Sequence, residues 1–278
     1  MTSMAHFFEI NNLTCGYDTQ FHISEISVSI SKGSLVGIIG PNGCGKTTLF
    51  RGITGELKSK IGSITLNGKN LKQLSHKERA CRLAIVSPDG DVPHLTVEDY
   101  VLMGRLPYHK NYQFFDSKED VAIAEKYMAL TNIVPLRDHY LTQLSAGQRQ
   151  LVSITRALVQ EPELLLLDEP TSYLDITHQV QVLNLVQQLN EQLGLTVLMI
   201  IHDLNLAGEY CDELILMNEG KLQLVDKPEE VLTFANIEKV YGTMVVTQAN
   251  PLSGKPAIFL VSNKVLNNVG LENPCQIN

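Results

Sequence analysis

The sequence contains no hydrophobic run of membrane-spanning length. Its longest apolar stretches, such as residues 164–167 and 195–201, are far shorter than the ~18–20 residues that a transmembrane helix requires. The first residues have neither a basic start nor a long apolar stretch, so we expect no export signal. The sequence therefore predicts a folded protein of the cytoplasm that would reach a membrane only through a partner.

Paired cysteines and basic runs are also missing. The five cysteines are scattered without a C-x-x-C pair, which argues against a zinc site or a disulfide framework and favours reduced thiols. The formal net charge is −8 and no basic run of the nucleic-acid-binding type occurs, so we expect no nucleic-acid partner. With 278 residues, 44% of them hydrophobic, the chain is long enough for one large α/β domain, with or without a small annex.

Residues 40–48 read Gly-Pro-Asn-Gly-Cys-Gly-Lys-Thr-Thr and fit the phosphate-loop pattern G-x-x-x-x-G-K-[ST]. In that pattern, backbone N–H groups surround phosphate oxygens, the lysine neutralises charge and the hydroxyl binds Mg²⁺. The apolar run 34–39 precedes the loop and a helix over 47–54 can follow it, which is the strand–loop–helix context that the pattern requires. The alternative is a glycine-rich turn that happens to end in Lys-Thr. We expect ATP to contact Gly40, Pro41, Asn42, Gly43, Cys44, Gly45, Lys46, Thr47 and Thr48.

Three roles are expected within this loop. Lys46 should lie against the β- and γ-phosphates, and Thr47 should give an oxygen to Mg²⁺, because a triphosphate needs both a cation and a metal. Cys44 has two interpretations, a redox-active thiol or a small side chain that fills a permissive position, and the second is favoured.

Acidic residues and a histidine follow two other apolar runs. Asp168 and Glu169 come after four leucines, so two carboxylates are predicted at the end of a buried strand, where ligands bind in parallel α/β sheets. The alternative is an ordinary strand end with solvated acids. His202 follows the apolar strand 197–201; a lone histidine would usually be structural, but its position after the next predicted strand favours a functional role.

The rest of the chain gives a coarse organisation. Strands are predicted over 7–13 and 23–30 as a small antiparallel lead-in, and over 163–167 and 196–201 as buried parallel strands joined by a helix over 176–193. Residues 95–137 have a helical pattern with a looser middle, and a helical stretch is predicted over 149–159. After Pro228 the chain changes character through residues 229–241, and a strand pair over 243–248 and 257–261 then predicts a small C-terminal part.

A further motif, Leu-Ser-Ala-Gly-Gln, lies at residues 144–148. It accompanies the phosphate loop, the run Leu-Leu-Leu-Leu-Asp-Glu-Pro at 164–170, and His202. Together these motifs resemble the nucleotide-binding subunit of ATP-binding-cassette (ABC) transporters over almost the whole chain. The resemblance implies an α/β P-loop NTPase cassette with an antiparallel β lead-in, a mixed or parallel core sheet and a helical subdomain at about 95–160. The cassette would span 5–228, followed by a small C-terminal annex (residues 229–262) and a loose tail (263–278).

The resemblance also implies a role for each matching residue. Asp168 would hold Mg²⁺, mostly through water, Glu169 would orient and deprotonate the attacking water, and His202 would contact the γ-phosphate. Tyr17 would stack on adenine, although by itself it is a half-exposed strand residue. Two copies would pair head to tail, so that one copy's signature segment faces the other's ATP; the segment is Ser145, Ala146, Gly147 and Gln148, and the dimer seam includes Ser172, Leu174 and Asp175.

One position departs from the family pattern. The family usually has a glutamine at the end of a strand near residues 82–86, where it contacts Mg²⁺ and senses the membrane subunit. This sequence offers Pro88 or Asp89 there, depending on a one-residue choice of alignment. Since only Asp89 could supply an oxygen ligand, we predict that it takes the metal- or water-facing role.

Three further segments indicate one branch of the family. Residues 102–108, 171–179 and 202–207 resemble importers of ferric siderophores, haem and cobalamin. This implies an ATPase at the cytoplasmic face of the cell's inner membrane. Its partners would be a second copy, a polytopic permease that docks on residues 95–105 and, indirectly, a periplasmic or surface substrate-binding protein. Two alternatives remain: a permease-free ABC ATPase of translation or repair, and a P-loop kinase, which would not need residues 144–148.

Overall fold

The computed structural model describes residues 7–17, 21–87, 92–110, 113, 115–262 and 264–265. The chain divides into two compact units. The first unit contains Met1–Phe8, Ser31–Ser34 and Thr65–Met199, and the second contains Glu9–Ile30, Leu35–Ile64 and Ile200–Asn278.

The elements alternate between strand and helix for much of the chain. The strands are β1 (Phe8–Tyr17), β2 (Phe21–Ile30), β3 (Leu35–Ile39), β4 (Ser59–Leu66), β5 (Lys69–Asn70), β6 (Leu83–Val86), β7 (Leu164–Asp168), β8 (Thr196–Ile200), β9 (Glu213–Asn218), β10 (Lys221–Asp226), β11 (Val245–Ala249) and β12 (Pro256–Leu260). The helices are α1 (Lys46–Thr54), α2 (His76–Ala80), α3 (Val97–Leu102), α4 (Lys118–Leu130), α5 (Ala146–Leu158), α6 (Ile176–Leu193), α7 (Leu204–Tyr210), α8 (Pro228–Val231) and α9 (Phe234–Tyr241). Short 3₁₀ turns occur at Leu71–Gln73, Met103–Tyr108, Val134–Leu136 and Leu141–Gln143.

Strands pair in both parallel and antiparallel fashion within the units. In the first unit β8, β7 and β6 lie side by side, and β6 pairs with β7 in parallel, with Leu83 opposite Leu164. In the second unit β3 pairs with β9 in parallel and β9 pairs with β10 antiparallel. In the same unit β2, β1 and β4 lie side by side, and β11 and β12 form an antiparallel pair. The predicted α/β fold class is therefore confirmed.

The central strands are buried along their whole length. All residues of β3, β7 and β8 are buried, and their sequences LVGII, LLLLD and TVLMI are almost continuously apolar. Parallel strands have this composition because helices cover both faces of the sheet, so neither face can alternate with polar residues. The predicted strands at 34–39, 163–167 and 196–201 are confirmed, as is the helix over 176–193, which is α6.

The helical segment of the first unit contains α3, α4 and α5. The predicted pattern over 95–137 is confirmed in α3 and α4, with a 3₁₀ turn between them at Met103–Tyr108. Helix α5 begins at Ala146, three residues before the predicted start, because Ser145 and Gln148 form a capping box at its first turn. The pattern S-x-x-Q was visible in the sequence, and residues 146–148 are helical rather than part of a preceding loop.

The side chain of Arg105 is buried in the first unit and bonds to several residues of this helical segment. Its side chain is only 4% exposed and forms an ion pair of 3.0 Å with Asp120, which caps α4 through a box with Ser117. The guanidinium also donates to the carbonyl of Val159 at 2.7 Å and to Glu161 at 3.0 Å. The guanidinium of Arg105 is therefore not accessible to a partner that binds the surface of residues 95–105.

Arg105→Ala is expected to lower the free energy of unfolding by about 3–5 kcal/mol, because it leaves the buried Asp120 carboxylate without its cation. The measurement is denaturant unfolding of the full chain. Arg137→Ala is the matched control: Arg137 pairs with Glu98 and Glu125 at a side-chain exposure of 32%, so we expect a loss within about 1 kcal/mol. Equal losses in the two variants would contradict a special role for the buried pair.

The annex contains α9 and the hairpin of β11 and β12, with Val245 opposite Leu260. The strand pair was predicted and is confirmed, whereas the helices α8 and α9 before it were not predicted. Of the predicted loose tail, only Lys264 and Val265 are among the described residues, so its state and the boundaries of the cassette stay predictions. Across the described residues, no helix is long and apolar enough to span a bilayer, and Cys15, Cys44, Cys81 and Cys211 are free thiols.

Candidate functional site

The loop between β3 and α1, in the second unit, has a shape that only glycine permits. Gly40, Gly43 and Gly45 have φ values of +150°, +77° and +107°, which side-chain-bearing residues rarely adopt. At Gly40 a Cβ atom would also lie 2.2 Å from the carbonyl oxygen of Met217 on β9. The loop backbone is thereby folded tightly at the N-terminus of α1, where backbone N–H groups and the helix dipole favour an anion.

Lys46, the first residue of α1, is only 5% exposed. Its ammonium donates to the carbonyl oxygens of Gly40, at 2.7 Å, and of Pro41, at 3.0 Å. A buried cation held by carbonyl groups of the loop is suited to phosphate binding, because a phosphate oxygen offers it a stronger, charge-assisted partner. The ammonium of Lys46 thus lies within the loop, and its contact with the β- and γ-phosphates stays a prediction.

The neighbouring loop residues differ in exposure. Thr47, on the first turn of α1, is exposed, so its hydroxyl is accessible for a metal ion, whereas Thr48 is buried. Burial raises the pKa of the Cys44 thiol more than the nearby Lys46 ammonium lowers it. The thiol therefore keeps its proton at neutral pH, which supports the space-filling interpretation over the redox one.

Tyr17 lies at the end of β1, in the same unit as the loop. Its side chain is 44% exposed, and its hydroxyl accepts a hydrogen bond from Arg51 of α1, whose guanidinium lies 6.0 Å from the ring centroid. The ring is thus attached to the helix that begins at the phosphate loop. Stacking of Tyr17 on adenine remains a prediction.

In the first unit, β7 carries the two predicted carboxylates at its end. Asp168 is its last residue and is 9% exposed, whereas Glu169 is half-buried and has a left-handed φ of +51°. The Glu169 carboxylate accepts a hydrogen bond from the Ser172 hydroxyl at 2.9 Å, and its carbonyl accepts one from the Ser172 amide at 3.1 Å. A predicted catalytic residue and a predicted seam residue are therefore in direct contact.

The signature segment forms the first turn of α5 in the same unit. Ser145 is the N-cap: its hydroxyl accepts from the amide of Gln148 at 3.2 Å, and the Gln148 side chain accepts from the Ser145 amide at 3.0 Å. Ser145 and Ala146 are exposed, whereas Gly147 is buried. A capped helix N-terminus with an exposed hydroxyl can bind an anion such as a phosphate.

His178 of α6 is a site residue that sequence reasoning missed. A Cβ atom on Gly147 would lie 2.2 Å from the His178 ring, so this ring packs directly on the signature glycine. The ring nitrogen Nδ1 lies 2.8 Å from Asp175, which caps α6 by accepting from the His178 amide at 2.9 Å. These bonds, the amide one first, lower the pKa of Asp175. His178 thus joins the signature segment to the predicted dimer seam; the Thr-His-Gln at 177–179 was the only sequence signal.

Gly147→Ala is expected to lower the free energy of unfolding by about 1–3 kcal/mol, because the added methyl group must displace the His178 ring from Asp175. The same change in a chain that already carries His178→Ala should cost less than about 0.5 kcal/mol. Denaturant unfolding of the wild type, both single variants and the double variant measures the difference. Equal costs in both backgrounds would contradict the contact.

His202 belongs to the second unit, is exposed, and comes two residues after the end of β8. The next residue, Asp203, caps α7: its carboxylate accepts from the amides of Asn205, at 2.8 Å, and Leu206, at 3.0 Å. The position of His202 is therefore fixed by a strand end before it and a capped helix after it. Asp89 lies outside the described residues, so its predicted role is not tested.

The segment after Glu169 is notably apolar for a surface. Tyr173 is 96% exposed at a left-handed φ of +62°, and Ile176 is 77% exposed. Leu174, between the predicted seam residues Ser172 and Asp175, is half-buried. Exposed apolar side chains beside a polar functional segment are typical of a protein–protein contact.

A family profile described as ABC transporter matches residues 23–172, which include the phosphate loop, the signature segment and the two carboxylates. The chain belongs to the ABC transporter family. The ferric enterobactin transport ATP-binding protein FepC of Escherichia coli (strain K12) is 36% identical over 247 residues, 88% of this chain and 91% of that protein. The iron(3+)-hydroxamate import ATP-binding protein FhuC of Bacillus subtilis (strain 168) is 36% identical over 245 residues, with coverages of 88% and 91%.

Solved structures agree with this family. The dimeric structure of MJ0796, a bacterial ABC transporter cassette, superposes with a TM-score of 0.69 at 25% identity, covering 80% of this chain and 98% of that one. The predicted recognition of an ABC ATP-binding subunit is therefore confirmed. As such a subunit, the chain binds nucleotide and is an ATPase.

Proposed function

We propose that this ABC ATPase powers an importer of an iron complex, either a ferric siderophore or haem, or of cobalamin. The observation that carries the proposal is the combination, in one chain, of a glycine-shaped phosphate loop holding Lys46 and a capped signature helix beginning at Ser145. A P-loop kinase has no need of the signature helix. The names of FepC and FhuC support an iron-complex cargo.

The proposed mechanism assigns each residue a step in ATP hydrolysis. Lys46 binds the β- and γ-phosphates, and His202 contacts the γ-phosphate. Glu169 orients a water molecule and accepts its proton as the oxygen bonds to the γ-phosphorus and the bond to ADP breaks. Thr47, Asp168 and, we propose, Asp89 offer the oxygen ligands that Mg²⁺ prefers, and the metal when bound would neutralise phosphate charge.

We further propose that two copies close head to tail on two ATP molecules. The dimeric state of the related cassette MJ0796 supports this, as do the exposed Tyr173 and Ile176 beside the predicted seam. Each signature segment would then bind the ATP of the other copy, with Ser145 facing its γ-phosphate. Closing and reopening would be passed to membrane subunits as alternating access.

The proposed permease contact is the exposed part of residues 95–105 together with the adjacent Leu106. Met103 and Leu106 are 41% and 54% exposed, whereas Arg105 points into the first unit. The apolar side chains rather than the arginine would therefore meet a cytoplasmic helix of the permease. The chain would sit peripherally on the cytoplasmic face of the membrane, and a periplasmic or surface binding protein would deliver the cargo.

Affinity purification of the full chain from gently solubilised membranes of its native host, with mass spectrometry of the partners, tests this function. We expect a polytopic membrane protein to be recovered. Leu106→Asp should reduce that recovery, whereas Leu252→Asp, at a 95% exposed position of the annex, should not. Recovery of soluble partners or ribosomes alone would favour the permease-free ABC ATPase, and phosphate transfer to an acceptor other than water would indicate a kinase.

A further inference from the structure

The first turn of α5 has two amide groups that can bind an anion. The amide of Gln148 is occupied by the hydroxyl of Ser145 at 3.2 Å, because Ser145 caps the helix. The amides of Ala146 and Gly147 come before it, and an α-helix gives its first amides no intrahelical partner. An anion at this helix start would therefore be bound by these two amides together with the exposed Ser145 side chain.

One side of Gly147 is covered by the side chain of His178, the third residue of α6. A Cβ atom on Gly147 would lie 2.2 Å from Cδ2 of the His178 ring, 2.7 Å from Cγ and 3.1 Å from Cβ. The contact is thus between the ring and the helix backbone, with no other side chain between them. Because such packing leaves no free space, the position of the ring limits where the Gly147 backbone can lie.

The His178 ring is itself held by Asp175, the N-cap of α6. One carboxylate oxygen of Asp175 lies 2.8 Å from Nδ1 of His178 and accepts from the amide of the same residue at 2.9 Å. The side chain of Gln179 adds a bond to the carbonyl of the buried Thr171 at 3.3 Å. The start of α6 is therefore tied to residues 171–175, which include the predicted dimer seam.

We propose that His178 is a positioning residue that holds Gly147 where the signature segment receives the ATP of the other copy. The inference rests on the proposed head-to-tail dimer. Asp175 belongs to the predicted seam, so the same ring fixes the seam and the anion-binding amides relative to each other within one copy. Contact with the partner at the seam and contact with phosphate at the signature segment are then made together.

The role of His178 concerns closing of the dimer and not capture of nucleotide by a single copy. Lys46 and the phosphate loop belong to the second unit, whereas His178 and Gly147 belong to the first. ADP lacks the γ-phosphate that the signature segment would bind, so ADP binding reports on the phosphate loop alone. ATP-dependent dimerisation reports on the signature segment as well. Removal of the ring should change only the dimerisation.

The test uses the full-length Glu169→Gln chain, in which ATP is expected to be bound but not consumed. His178→Ala in this chain should raise the dimer dissociation constant at saturating ATP and Mg²⁺ at least about tenfold, because a symmetric dimer loses the contact at both signature segments. The Kd for ADP should change less than about twofold. Analytical ultracentrifugation measures the first constant and calorimetry measures the second.

Two further variants separate the ring from its hydrogen bond and from a general loss of stability. His178→Asn keeps an amide that can donate to Asp175 but removes the ring from Gly147, so it should weaken the dimer as His178→Ala does. His109→Ala is the matched control, because it removes a histidine ring that lies 3.2 Å from the Asp116 carboxylate in the same unit. This control should dimerise as the Glu169→Gln parent does.

The possible results have different meanings. If the Glu169→Gln parent forms no dimer with ATP, the proposed head-to-tail function fails and the inference fails with it. If the parent dimerises and His178→Ala matches the His109→Ala control, the inference is overturned and the proposed function stands. Equal weakening of ADP binding and dimerisation, or full dimerisation of His178→Asn, would also overturn it. Weaker dimerisation of both His178 variants with unchanged ADP binding establishes His178 as a positioning residue.

Discussion

Glu169→Gln is expected to lower ATP turnover at least about a hundredfold while ATP binding changes less than about twofold. The physical reason is that a carboxamide has the shape of the carboxylate but cannot accept a proton, and a general base contributes about 10²–10⁴ to the rate. The Gln side chain keeps an oxygen that can accept the hydrogen bond from Ser172, which is 2.9 Å away in the wild type. The local geometry, including the left-handed backbone, should therefore survive.

The experiment pairs phosphate release with equilibrium ATP binding and gel filtration in the presence of ATP. The variant should accumulate as a closed dimer, because ATP can close the seam but is not consumed. Glu163→Gln is the control: Glu163 precedes β7, at the opposite end of the strand from Glu169, and pairs with Arg82 at 2.6 Å. Turnover should stay near the wild-type value in that control. Full turnover in Glu169→Gln would remove Glu169 from the role of base.

Lys46→Ala should weaken ATP binding by about 10- to 100-fold, which corresponds to the loss of about 1.5–3 kcal/mol of charge-assisted hydrogen bonding to phosphate. The effect should be large because this ammonium is only 5% exposed, so water screens it little. Calorimetric titration of the full chain with ATP and Mg²⁺ measures the loss.

Lys221→Ala, at an exposed position of β10, is the control for removal of one positive charge and should bind ATP as the wild type does. Lys46→Arg keeps the charge but places a larger, planar group in the loop, so we expect it to recover little of the affinity. An unchanged Kd in Lys46→Ala would mean that the loop carbonyls, and not phosphate, are the physiological partners of the ammonium.

Structural features that depend only on residues close together in the chain were predictable from the sequence. An apolar run predicted β3, and three glycines followed by a Lys-Thr pair predicted the phosphate loop and α1. Each of these signals affects only the backbone within a few residues of its own position. The bounds of α6 and the annex hairpin were predicted in the same way, from periodicity and turn residues. The predicted start of α5 was wrong by three residues, because the Ser145–Gln148 capping box was not used.

Side-chain contacts across the fold depend on information that no local pattern holds. Nothing near Gly147 indicates that the ring of His178 packs on it, and nothing near Arg105 indicates that its charge is buried against Asp120. Likewise, the hydrogen bonds of the Asn205 side chain with the Ile258 backbone join residues far apart in the chain.

The sequence by itself determined the family and the fold class and predicted the residues of the ATP site, because these are encoded in short motifs whose chemistry needs fixed residue types at fixed spacing. Only the tertiary structure decided which residues support that site. Those residues are selected by which elements lie side by side, and many different side chains can fill such positions, so their identity carries no recognisable pattern until the contacts are seen.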